Sequence, residues 1–140
     1  MLRVVLDANV YVSAAVHPGG PPGQIVDRFL REAVFEIVVS PAIAEEVLRA
    51  LSYPKVRKLI RSAIRSELWF EDIVMLADLT AGELVLRRLC DDPDDDKYLT
   101  AAIEGNAAFV VSGDKKLLAV AEHEGVSILT PRAFLGLLDI

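Results

Sequence analysis

The sequence predicts an α/β fold: three layers, α/β/α, with a central, mostly parallel sheet flanked by helices. Three observations lead there. Short, largely apolar runs such as Val4-Val5-Leu6, Phe35 to Val39 and Ala108 to Ser112 read as strands with little room for solvent. Amphipathic stretches at helical spacing alternate with them, the order that builds a parallel sheet covered on both faces. The 140 residues are 53% hydrophobic and 26% charged, which bounds the chain as one globular domain (1–140) with a sizeable core.

Taken in order, Val4 to Leu6 is the first strand and Val10 to Val16 a short helix. His17 to Gly23, rich in Pro and Gly, is a loop. Gln24 to Ala33 is a helix with Ile25, Phe29 and Leu30 on one face. Phe35 to Val39 is a strand, and Ser40-Pro41 starts a helix to about Leu51 as N-cap and first helical residue. Pro54 interrupts the pattern; a second helix is expected to about Ser66, and a third from Glu67 to Ala77. Thr80 to Leu89 fits neither period. A helix then runs from Asp92-Pro93 to near Gly105-Asn106. Ala108 to Ser112 is a strand, Lys115 to His123 a helix with Gly125 as its C-cap, Val126 to Leu129 a last strand, and Pro131 to Leu138 a terminal helix.

Composition excludes several classes. No apolar run is long enough to cross a bilayer, and the N-terminus turns acidic too early for a signal peptide, so a cytoplasmic protein without membrane contact is expected. A single cysteine, Cys90, permits neither an internal disulfide nor a cysteine-based zinc site. His17 and His123 stand alone, and neither a phosphate-binding loop nor a dinucleotide-binding glycine pattern is present. A net charge of −6 argues against general nucleic-acid binding, and a metal-binding acidic cluster would account for part of the excess.

The densest acidic stretch, Asp91 to Asp96, holds five carboxylates in six residues and runs straight into an apolar helix. Asp92 reads as N-cap and Pro93 as first helical residue. On the helical wheel Tyr98, Leu99, Ala102 and Ile103 share a face, with Asp95 near its middle and Asp94 and Asp96 as solvated flanks. An inward-facing carboxylate needs a cation or strong hydrogen bonds. Ligand sites of open parallel sheets lie beyond the carboxyl ends of the strands. There the sequence places Asp7, Ser112 and Asp114, with Glu45 and Glu46 on the helix after Pro41. Glu45 and Glu46 flank the apolar face about equally. Arg49 one turn on offers Glu45 a surface ion pair, which mildly favours Glu46. Three or four carboxylates around one cleft suit Mg²⁺ or Mn²⁺, which would activate water and polarise a phosphoryl oxygen; whether one or two ions bind is open.

Val4-Val5-Leu6-Asp7-Ala8-Asn9-Val10, Ser40 to Val47, Asp92 to Leu99 and Val111 to Leu118 together resemble, in order and spacing, the four acidic motifs of the PIN-domain family. More narrowly, the chain resembles the VapC-like toxins of prokaryotic toxin–antitoxin pairs. The resemblance places the family's acids at Asp7, Glu46, Asp95 and Asp114, as metal-binding and catalytic residues. It suggests Asn9 and Ser112 as supports and Asp92 as an outer acid. It implies a Mg²⁺- or Mn²⁺-dependent endoribonuclease acting on RNA, dimeric, and held in check by a small antitoxin protein.

An acidic protein must attract RNA locally. The helix expected after Pro54 carries Arg57, Arg61 and Arg65 at every fourth position, either as a phosphate-binding rail or as an ordinary solvated face. Two other readings stand beside the nuclease. One is a non-catalytic PIN-like module acting through its dimer or antitoxin contacts. The other is a receiver-like signalling domain, which would need a phospho-accepting aspartate where Ser40 ends the second strand.

Overall fold

The computed structural model describes residues 1–61 and 65–140. Its strands are β1 (Leu2–Leu6), β2 (Phe35–Val39), β3 (Asp78–Leu79), β4 (Phe109–Val111), β5 (Glu122–His123) and β6 (Val126–Leu129). They form one sheet in the order β3-β2-β1-β4-β6-β5, parallel throughout except for the β5–β6 pair. The helices are α1 (Ala8–Val16), α2 (Pro21–Glu32), α3 (Pro41–Ser52), α4 (Pro54–Arg57), α5 (Ser66–Leu76), α6 (Asp96–Glu104), α7 (Lys115–Leu118) and α8 (Pro131–Leu138). Val4, Val5, Leu6, Ile37, Val38, Val110 and Val111 are fully buried, as expected of central strands covered on both faces. Tyr11, Phe70, Phe35 and Phe134 fill the space between sheet and helices, Phe35 and Phe134 meeting edge to face.

The expected α/β fold with its mostly parallel sheet is present, and the helix starts follow local chemistry. Ser40 accepts the Ile43 N–H at 3.2 Å ahead of Pro41, and Thr130 accepts the Ala133 N–H at 3.1 Å ahead of Pro131.

Four elements differ from expectation. Helix α2 begins at Pro21 rather than Gln24, because an extended Gly20 lets both prolines occupy the first helical turn. Gly23 packs this turn against the preceding loop so closely that a Cβ there would meet the Pro18 carbonyl oxygen at 2.1 Å. Helix α4 ends at Arg57 rather than near Ser66, and Arg65 is instead the N-cap residue of α5; part of the expected helix, at 62–64, lies outside the described residues. A continuous helix would have stacked Arg57, Arg61 and Arg65 as like charges one turn apart, and Arg57 pairs with Glu67 at 3.2 Å. Helix α7 stops at Leu118, and Glu122-His123 turns back as strand β5. Gly125 is a hairpin residue rather than a helix cap. Glu124 and Gly125 have φ of 48° and 82°, the paired positive values of the turn that joins two antiparallel strands through two residues. Lastly, the acidic helix opens as a 3-10 turn over Pro93–Asp95 before α6 begins.

Candidate active site

From β1 the chain lays strands to one side, β2 then β3, and returns to place β4 on the other side of β1. The carboxyl ends of β1 and β4 therefore flank the point where strand order reverses, the usual ligand crevice of such sheets. Leu6 pairs with Val111, so the next residues of each strand, Asp7 and Ser112, leave the sheet side by side.

Asp7 is the N-cap of α1 and is buried. Its Oδ1 accepts the Asn9 backbone N–H at 3.0 Å and its Oδ2 accepts the Ser112 hydroxyl at 2.6 Å. Burial nonetheless holds the Asp7 pKa above the usual carboxylate range, against the opposing pull of those hydrogen bonds. Ser112 Oγ in turn accepts the Asp114 N–H at 2.9 Å, which joins Asp7 to the start of α7. Asp114, half-buried, is the N-cap of that helix.

Asp95 sits at the junction of the 3-10 turn and α6, 8% exposed. Its Oδ2 is buried and has no hydrogen-bond partner among the described residues. Burial raises its pKa to about 6, and the charges of Asp114, Asp92, Asp7 and Glu46 push the same way. That mutual repulsion marks all five acids as neighbours. Asp92 accepts the Asp94 N–H at 3.0 Å and caps the 3-10 turn. On α3 the two glutamates part company. Glu45 points to solvent and pairs with Arg49 at 2.9 Å, whereas Glu46 is half-buried and forms an ion pair with Lys97 of α6.

Residues 3–116 match the family described as PIN domain. The chain belongs to the PIN-domain family. Members of this family are generally nucleases. A relative, the uncharacterized protein MJ1680 of Methanocaldococcus jannaschii, is 28% identical over 127 residues, covering 87% of this chain and 77% of that protein. The fold resembles a chain of VapBC2 from Rickettsia felis, solved bound to a DNA fragment from their promoter, with a TM-score of 0.55 at 14% identity, over 91% of this chain and 97% of that one.

In this PIN domain several side chains act otherwise than the sequence suggested. Asn9 is exposed and supports Asp7 through its backbone N–H, so its amide side chain is not what holds the acid. Asp96 is not a solvated flank. It is buried, and its carboxylate accepts the N–H groups of Arg88, Leu89 and Cys90 at 2.9, 3.1 and 2.8 Å, gripping the loop before the acidic run. Cys90, in that loop, has its thiol pushed up to about 12, first by burial and then by Asp96. Arg57 and Arg65 lie on separate elements rather than along one rail.

Two further residues join the site. Lys97 supplies Glu46 with a countercharge, and the Tyr98 hydroxyl accepts the Ala8 N–H at 3.2 Å and helps hold Asp7 ionised by a hydrogen bond. They lie two and three residues after Asp95, and Tyr98 shares its buried face, which was the available signal.

Among the described residues no three His, Cys, Asp or Glu side chains are already drawn together into a metal-binding group. The donor set still fits a hard divalent cation. It is all oxygen and includes a buried carboxylate oxygen without a partner. Among the described residues no helix is long and apolar enough to cross a membrane.

Proposed function

We propose that this PIN domain is a Mg²⁺- or Mn²⁺-dependent endoribonuclease that hydrolyses RNA phosphodiester bonds, the toxin of a toxin–antitoxin pair. The observation that carries the reading is the partnerless, buried Oδ2 of Asp95, raised in pKa first by burial and then by four neighbouring acids. Asp7, Asp95 and Asp114 would hold the ion, with Glu46 as a fourth acid, directly or through water. Bound there, the ion supplies a more acidic water and a Lewis acid for the phosphoryl oxygen.

The protein's own part is positioning. Ser112 fixes Asp7 through its hydroxyl and Asp114 through its acceptor oxygen, so the acids of β1 and α7 are set by one side chain. Tyr98 braces the start of α1 from across the crevice. Glu46, now paired with Lys97, would orient the attacking water and offer the ion a fourth carboxylate.

The likeness to a chain of VapBC2 supports a small antitoxin as partner, and the family resemblance supports a cytoplasmic homodimer. The test is cleavage of a mixed RNA pool with and without Mn²⁺. Wild type should cut only with metal, and folded Asp7→Asn and Asp95→Asn variants should lose activity by orders of magnitude. Variants that cut at the wild-type rate would refute the metal site.

One observation favours a second reading, a non-catalytic module. Lys97 already neutralises Glu46, as it would where a site had given up its ion. Calorimetric titration with Mn²⁺ separates the two, since a module of this kind takes up no ion.

A further inference from the structure

The segment from Thr80 to Asp92, between β3 and the acidic turn, has no regular secondary structure, yet carboxylates at both ends of α6 hold it in place. At the C-terminal end Glu104 accepts the N–H groups of Gly82, Glu83 and Leu84 at 3.1, 2.9 and 2.9 Å. At the N-terminal end Asp96 accepts those of Arg88, Leu89 and Cys90. The segment thus forms an arch running the length of α6, about 13 Å for nine residues. Beneath it lies a groove of about 920 Å³ whose walls include Ser40, Arg87, Arg88, Lys97, Thr100 and Ala101.

Three features give the groove a chemistry. First, most of its carboxylates are already satisfied: Asp96 and Glu104 by three N–H groups each, and Glu45 by Arg49. Arg87 and Arg88 are exposed and have no carboxylate partner among the described residues, so two guanidinium groups stand available on the groove wall in a chain of net charge −6. Second, the groove borders the acidic crevice. Lys97 lines the groove and pairs with Glu46, and Cys90-Asp91 leads directly to the cap Asp92. Third, Arg88 is held at φ 63°, a left-handed conformation disfavoured for arginine, at the point where Asp96 grips the arch. Backbone held in such a conformation by a dedicated contact is characteristic of ligand-binding segments. The buried Thr100 Oγ1, on the groove wall, has no hydrogen-bond partner among the described residues.

We infer that the arch is the guide for the substrate strand, with Arg87 and Arg88 binding backbone phosphates of single-stranded RNA as it enters the acidic crevice. The inference rests on the ribonuclease reading. Its walls carry no aromatic ring on which a base would stack, so this segment reads phosphate and shape rather than sequence. The arch, and not the cations around α4, then supplies most of the attraction for RNA.

The test is fluorescence anisotropy of a labelled mixed-sequence single-stranded RNA, with EDTA present to prevent cleavage, over a range of salt. An Arg87→Ala/Arg88→Ala variant should bind about tenfold more weakly. The slope of log affinity against log salt should fall by about 1.4, two phosphate contacts at ~0.7 each. Its Mn²⁺ affinity should match wild type. Glu104→Ala frees the far end of the arch without removing a cation, and should also weaken binding. If wild type binds RNA while the arginine variant keeps full affinity and slope, the arch assignment is wrong. It is equally wrong if Arg57→Ala/Arg61→Ala/Arg65→Ala costs more than the arch pair. A wild type that neither binds nor cuts RNA removes the ribonuclease reading itself.

Discussion

The Ser112 hydroxyl donates to Asp7 Oδ2 at 2.6 Å across 105 residues of chain, and Ser112 is fully buried. Ser112→Ala removes a charge-assisted hydrogen bond from a buried carboxylate and the acceptor of the Asp114 N–H. Stability at neutral pH should drop by about 1–3 kcal/mol. Mn²⁺ affinity should fall about tenfold or more, since Asp7 is then both less ionised and less fixed. Denaturant titration and calorimetry check the two effects separately, and a variant as stable as wild type would show that the bond contributes nothing net.

Asp95 is raised from 3.8 to about 6 by burial and its acidic neighbours. A carboxyl with a higher pKa in the folded state holds its proton more tightly there. Its contribution is fully present below about pH 4 and is lost as pH rises through about 6. Metal-free protein should therefore melt lower as pH climbs across this window. Asp95→Asn should flatten that dependence and be more stable than wild type at pH 7.5 in EDTA. A rise from 3.8 to about 6 is worth ~3 kcal/mol, which solvent screening at the crevice reduces to about 1–2 kcal/mol. Added Mn²⁺ should raise the wild-type melting temperature and leave the variant unchanged. A variant less stable than wild type in EDTA would contradict repulsion among the crevice acids.

Asp96 ties three consecutive N–H groups of the arch to the start of α6. Asp96→Ala leaves those donors without an acceptor and releases Arg88 from its left-handed conformation. The expected cost is about 2–4 kcal/mol, with protease cleavage appearing within 84–92. Limited proteolysis followed by mass spectrometry locates the cut. Resistance equal to wild type would mean that Glu104 alone secures the arch.

Gly23 lies where the first turn of α2 meets the backbone at Pro18. A Cβ at position 23 would stand 2.1 Å from the Pro18 carbonyl oxygen and 2.4 Å from its carbon. Both are backbone atoms and cannot rotate away, so Gly23→Ala should destabilise the fold by about 2 kcal/mol or more. A thermal melt within a degree of wild type would show that the loop can shift.

Much of this protein was legible in the sequence because its cause is local. Apolar runs made strands that demand cover on both faces, and Ser40-Pro41, Asp92-Pro93 and Thr130-Pro131 set helix starts by capping their own first turns. The wheel that turned Asp95 inward needed only the 3.6-residue period. Other features depended on partners distant in the chain. Glu46 parts from Glu45 because Lys97, 51 residues on, reaches it. Asp96 is buried because the arch folds back over α6 with donors to satisfy. The expected helices after Pro54 and Lys115 stop short, and their ends meet distant partners instead: Arg57 pairs with Glu67, and Glu122–His123 takes an edge place beside β6. Local sequence determined where the acids stand along the chain. Only the tertiary structure decided which of them share a crevice, because burial and charge pairing are set by what packs opposite.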